Sequence, residues 1–155
     1  MERIPSFSVD HNLLFPGLYV SRKDERNGVA VTTFDLRLTS PNREPVMNTG
    51  CMHTIEHIGA TYLRNSPRAA DVIYFGPMGC RTGFYLVMFG DLGSEDVLSL
   101  VRDTFSFIAD FEGDIPGATM SECGNCTDQD LASAKKYAAG YLRDLGLGRF
   151  DYPTA

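Results

Sequence analysis

The sequence lacks any apolar run close to the ~20 residues that span a bilayer; its longest compact one, residues 84–89, is six long. It lacks an excess of positive charge, with 14 Lys and Arg against 20 Asp and Glu for a net charge of −6. Such a chain has no general attraction to phosphate backbones, so neither a membrane nor a nucleic acid is an expected partner. Repeats, low-complexity tracts and linkers are missing as well. The opening MERIPSFSVDH has no basic segment followed by an apolar one. No secretory leader is therefore read, the chain is taken as intact from Met1, and the cytoplasm is the expected compartment. There, the four cysteines Cys51, Cys80, Cys123 and Cys126 are expected to be free, catalytic or metal-bound rather than a disulfide framework.

What remains is an ordinary globular composition: 155 residues, 43% hydrophobic, 22% charged and 11% aromatic. That length fits one domain over residues 1–155, able to bury roughly 68–70% of its unfolded surface without staples. Short strands are expected at 18–22, 29–39, 72–75 and 82–90. In the second, Phe34, Leu36 and Leu38 alternate with Thr33, Asp35 and Arg37, the period of a half-buried strand. Helices are expected over 51–64, 94–111 and from about 127 to 145. Ser94 is the expected N-cap of the second, and Thr127 with Asp130 resembles a capping box for the third. Strands alternating with helices, with antiparallel neighbours, indicate an α+β fold in which helices cover one sheet.

The chain has three histidines, and two lie in HTIEH, residues 53–57. On a helix, positions i and i+4 share a face, so His53 and His57 can grip one transition-metal ion. Glu56 can hang beside that metal and act as a base. Shuffling this composition produces H-x-x-E-H with a probability of roughly 0.002 per chain. The plain alternative is a helix with two surface histidines, which the apolar Ile55, Ile58 and Leu63 oppose. A third ligand is needed to leave one coordination position open; the candidates are His11, a cysteine, or a carboxylate such as Glu122. Cys123 and Cys126 form a CxxC, which alone reads as a redox pair or half of a closed Cys2His2 structural zinc site. Cys80 ends a glycine-bounded turn, PMGC, next to Arg81. It is either a small buried residue at a strand start or an exposed thiol whose cationic neighbour favours the reactive thiolate.

Taken together these residues resemble the S-ribosylhomocysteine lyase family, the LuxS proteins of autoinducer-2 synthesis. SFSVDH (6–11), FDLR (34–37) followed by Pro41 and Asn42, HTIEH (53–57), GPMGCRTGFY (76–85) and ECG (122–124) are similar to the family's motifs, in the same order and at similar spacing. The resemblance implies one antiparallel sheet with helices against it, in a homodimer with active sites at the dimer interface. It implies His53, His57 and Cys123 as ligands of one divalent metal per subunit, iron(II) first, with zinc or cobalt accepted. It implies Glu56 and Cys80 as the acid/base pair, and Ser6, His11 and Arg37 as substrate-pocket residues. The implied reaction cleaves a thioether without redox change, giving homocysteine and 4,5-dihydroxypentane-2,3-dione. Tyr74, Phe75 and Gly76 stand where many members carry Asp-Ile-Ser, and Cys126 falls where no family cysteine is expected. The rival enzyme reading is an inverted-motif zinc peptidase, with Glu56 activating water and Glu122 as third ligand; the rival without catalysis is a structural zinc protein.

Overall fold

The computed structural model describes residues 1–153. After a short 3-10 turn at Pro5–Phe7, the chain forms β1 (Gly17–Arg26), β2 (Val29–Arg37), α1 (Thr49–Arg64), β3 (Val72–Pro77), β4 (Gly83–Phe89), α2 (Ser94–Ala109) and α3 (Leu131–Leu145). The four strands make one antiparallel sheet in the order β1-β2-β4-β3. All three helices pack on one side of it and on one another. The α+β expectation, one sheet covered by helices in two layers, is met.

The first hairpin is longer than its hydrophobic pattern suggests. Residues 22–26 are mostly charged and exposed, so no apolar alternation marks them as strand. Their partner is fixed instead by Asn27-Gly28, both at positive φ (54° and 78°). Asn-Gly in that conformation is the tight two-residue connection whose twist matches a hairpin, and it aligns Arg26 with Val29.

Phe34, Leu36, Phe84, Leu86 and Met88 form the sheet's contribution to a single core. Ile55 and Ile58 of α1, Val101 and Phe105 of α2 and Ala138 and Tyr141 of α3 meet them there. Gly59 is required for the α1 approach, since a Cβ there would sit 2.6 Å from Phe75 Cε1 of β3. Two expected caps are placed differently. Ser94 is the first residue of α2, and the cap is Gly93, whose N–H donates to the Asp96 carboxylate at 2.7 Å. For α3 the cap is Asp130 itself, accepting from the Ser133 N–H at 3.0 Å, and Thr127 lies outside the helix.

Among the described residues no helix covers the opposite face of the sheet. Tyr85 and Val87 of β4, Thr33 of β2, Ser21 of β1 and Tyr74 of β3, 52% exposed, line a cavity of about 350 Å³ there, with Ile4, Pro5 and Ser6 at its edge.

Candidate functional site

Helix α1 begins at an Asn48 cap whose side chain accepts from Cys51 N–H at 2.7 Å. The same Asn48 amide donates to Asp130 Oδ2 at 2.9 Å, so the caps of α1 and α3 are tied together. Hydrogen bonds from Ser133 and from Asn48 hold the Asp130 carboxyl below the usual carboxylate range. The Asp130 N–H reaches Thr54 Oγ1 at 3.0 Å, and Thr54 donates to Gln129 Oε1 at 2.7 Å. This seam lays residues 128–130 along the first turns of α1.

The seam aims His53. Its Nδ1 lies 2.8 Å from the Asp128 carbonyl. One helical turn on, His57 Nδ1 lies 2.7 Å from the Pro116 carbonyl. A carbonyl only accepts, so each contact calls for a proton on Nδ1, and in that neutral tautomer the lone pair lies on Nε2. Backbone oxygens behind metal-binding imidazoles fix tautomer and ring orientation in this way. Pro116 and Gly117 sit at the centre of a turn closed by Ala118 N–H to the Ile115 carbonyl at 3.3 Å. Gly117 has φ +67°, the left-handed conformation that the third residue of a type II turn requires.

Cys123 completes the group. Its Sγ is 3.4 Å from His53 Nε2, and one ligand atom from each of His53, His57 and Cys123 lies within 4.8 Å of the others. Two imidazole nitrogens and a thiol at that separation suit a borderline or soft divalent metal, and three protein ligands leave a position open. Of the candidate third ligands, Cys123 is the one placed with the two histidines. Cys126 is not in the trio, so a closed Cys2His2 site is not built. Glu122 instead accepts from Thr119 Oγ1 at 2.6 Å, which removes the third ligand of the peptidase reading. Cys51 is fully buried, and burial, then the nearby Asp130 charge, pushes its thiol up to about 12.

Cys80 belongs to a second cluster. Its turn is closed by Arg81 N–H to the Met78 carbonyl at 3.0 Å, with Arg81 at φ +63°, and the thiol is exposed. The cation that reaches it is Arg37 rather than the adjacent Arg81. Arg37 Nη1 donates to Thr82 Oγ1 at 2.7 Å and lies 3.9 Å from Cys80 Sγ. Cys80 Sγ is 3.1 Å from that same hydroxyl. Behind it, Arg37 grips Asp35 in two contacts, Nε–Oδ1 3.1 Å and Nη2–Oδ2 2.6 Å. Arg37 is 3% and Asp35 2% exposed. Burial opposes the guanidinium charge, but Asp35 beside it, with Cys80 and Tyr152 further off, carries Arg37 above its ordinary value.

The three expected pocket residues have different surroundings. Ser6 lines the open-face cavity, Arg37 is buried under the Cys80 turn, and His11 turns Nδ1 to the Val9 carbonyl at 2.9 Å. Tyr74 also lines the cavity, with its ring lying over Gly76. A Cβ at Gly76 would collide with that ring, 2.8 Å from Cε1, so these two departures from the family pattern are packed as a pair. The sequence reading missed Asp128, Pro116, Thr82 and Tyr152; of these only Pro-Gly at 116–117 carries a local signal.

A profile of the S-ribosylhomocysteinase (LuxS) family matches residues 4–147. The chain belongs to that family. Among curated relatives, S-ribosylhomocysteine lyase of Clostridium acetobutylicum is 54% identical over 158 residues, covering 99% of each chain. The namesake from Phocaeicola vulgatus is 56% identical over 146 residues, 94% of this chain and 91% of its own. That of Finegoldia magna is 56% identical over 142 residues, 92% and 90%. The LuxS family is one of carbon–sulfur lyases, and no helix among the described residues is long and apolar enough to cross a membrane.

Proposed function

We propose that this chain is a single catalytic domain that cleaves the thioether of S-ribosylhomocysteine, releasing homocysteine and 4,5-dihydroxypentane-2,3-dione, the autoinducer-2 precursor. The observation that carries the reading is the coincidence of an open three-ligand trio with a separately built, exposed thiol, in a family whose members bear that activity's name.

The chemistry sets what the residues must do. A thioether leaves poorly unless a carbonyl sits β to its carbon. The ribose carbonyl starts at carbon 1 and sulfur is on carbon 5, so the carbonyl must move to carbon 2 and then to carbon 3. Each move is removal of a proton next to a carbonyl and its return on the neighbouring carbon. Two proton carriers serve this, Glu56 on the helix that bears the histidines and Cys80 at its turn. With the carbonyl at carbon 3, removal of the carbon 4 proton, assigned to Glu56, expels the homocysteine thiolate. His53, His57 and Cys123 hold one divalent metal, for which we propose iron(II), with zinc and cobalt as substitutes. When bound, it supplies Lewis acidity toward the oxygens on which negative charge develops. Ser6, His11 and Arg37 are the proposed substrate contacts.

The active unit is proposed to be a homodimer. The uncovered sheet face, with exposed Tyr74 and Phe7 beside the Ser6 cavity, supports this. Four free cysteines, two of them proposed to act as thiolates or proton carriers, suit the reducing cytoplasm. Anaerobic protein loaded with iron(II) or cobalt(II) is expected to release free thiol from S-ribosylhomocysteine over many turnovers, and Cys80→Ala to release almost none. Absence of release by metal-replete parent protein overturns the reading.

A further inference from the structure

Tyr152 lies past the last residue matched by the family, 147, yet its hydroxyl reaches the centre of the Cys80 cluster. It donates to Asp35 Oδ2 at 2.8 Å, the same oxygen that takes Arg37 Nη2 at 2.6 Å. Its ring stacks on Tyr19, centroids 4.8 Å apart and planes 12° from parallel. Tyr19 is itself tied down by its hydroxyl to the Phe15 carbonyl at 2.8 Å. The tail is pinned just upstream, where the Arg149 carbonyl takes the Leu18 N–H at 3.0 Å. Burial, then the Asp35 carboxylate, pushes the Tyr152 phenol well up from its ordinary value, so it remains a donor across the working range of pH.

We propose that Tyr152 is a positioning residue, acting through Asp35 to hold the Arg37 guanidinium against Thr82 and the Cys80 thiol. The proposal rests on the reading of Cys80 as a proton carrier. A carboxylate has about four lone-pair sites. In Asp35, Arg37 takes one on each oxygen and Tyr152 takes a further one, which leaves the carboxylate little freedom to rotate. Fixing Asp35 fixes the forked guanidinium, whose remaining nitrogen points along the chain to Thr82 and Cys80. The titratable and charged groups around Cys80 include Arg37 from β2, Tyr85 from β4 and the adjacent Arg81, with Asp35 and Tyr152 behind Arg37. A cation beside a thiol favours the thiolate, and the thiolate is the species that alkylates.

The test uses metal-loaded, full-length protein and follows iodoacetamide modification of the Cys80 peptide by mass spectrometry, alongside turnover. Tyr152→Phe keeps the stacked ring and removes only the donor; removal of residues 152–155 takes both. Tyr152→Phe is expected to slow Cys80 alkylation about tenfold and to lower kcat about tenfold with KM within about twofold, the size of one hydrogen bond to a charged group. The truncation is expected to slow both at least as much. In an Asp35→Asn background, adding Tyr152→Phe is expected to change neither rate beyond about twofold, since the route runs through Asp35. Parent-like alkylation and turnover in Tyr152→Phe, or effects of the two substitutions that multiply, overturn the proposal. Should the parent release no thiol, the lyase reading fails, and the alkylation rates still decide whether Tyr152 positions Arg37.

Discussion

His53 and His57 come from one face of one helix and are aimed by backbone carbonyls, whereas Cys80 stands on a turn and meets a cation that reaches it from a buried ion pair on a different strand. The trio is assembled cheaply: α1 spaces the imidazoles, and a loop draped over α1 brings two carbonyls and a thiol. The Cys80 cluster brings together a desolvated Asp35–Arg37 pair, a threonine just before β4 and a tyrosine from the tail. The first is a site that a metal ion itself would help to hold together. The second is held by side-chain contacts alone. The contrast is that the candidate ligand trio is completed from a loop, while the Cys80 cluster is backed by an ion pair in the core.

If the clusters are separable, they should fail separately. The largest expected effect is on turnover: Cys80→Ala loses activity by at least about a thousandfold with metal content unchanged, while Cys123→Ala loses the metal itself, both read by elemental analysis beside the thiol-release assay. Next in size is stability. Arg37→Ala strands the buried Asp35 carboxylate and is expected to cost about 3–5 kcal/mol in urea unfolding, without a fall in metal stoichiometry in the protein that remains folded. Equal loss of metal would show that the two clusters are one. Gly117→Ala sharpens the contrast from the other side. It forces a side chain into φ +67°, where its Cβ would lie 3.4 Å from His57 Nδ1, and is expected to weaken metal binding about tenfold by competition with a chelator, while Cys80 alkylates as before. Gly76→Ser should push the Tyr74 ring off its seat and raise KM about threefold with kcat held, since the cavity changes and neither cluster does. The smallest effect is acid sensitivity at the seam. The lowered Asp130 carboxyl contributes stability that is present above its unfolded value of 3.8 and is lost as pH falls through the lower folded one. The group is close to solvent, so a few tenths of a kcal/mol are expected. Asp130→Asn should flatten the stability profile between about pH 5 and pH 3.

The parts of the site legible in the sequence are those written in local spacing. HTIEH announces a helix face, the glycine-bounded PMGC announces a turn, and the alternation at 33–38 announces a strand. Legibility fails where long-range placement decides. Asp35 and Arg37 read as the wet side of a strand, because alternation cannot tell a solvated face from one closed by a tail. Thr127 reads as a cap because Asp130 follows it by three, but Asp130 is drawn into the cap position by Asn48 and Thr54 of α1. The charged end of β1 is invisible to hydrophobic pattern and is fixed by Asn27-Gly28 instead.

By itself the sequence determined the α+β class, the two imidazoles on one face, the glycine-bounded cysteine turn and the family, since each depends on residues within a few positions of one another or on motifs in order. The spacing of residues left the third partner of the histidines open and only the family resemblance pointed to Cys123; the tertiary structure brings Cys123 to them, sets Arg37 rather than Arg81 against Cys80, and closes Tyr152 on Asp35. Those contacts join residues 43 to 117 positions apart. They exist because burying the core brings distant segments together and leaves each desolvated polar group to find whichever partner the packing has placed within reach.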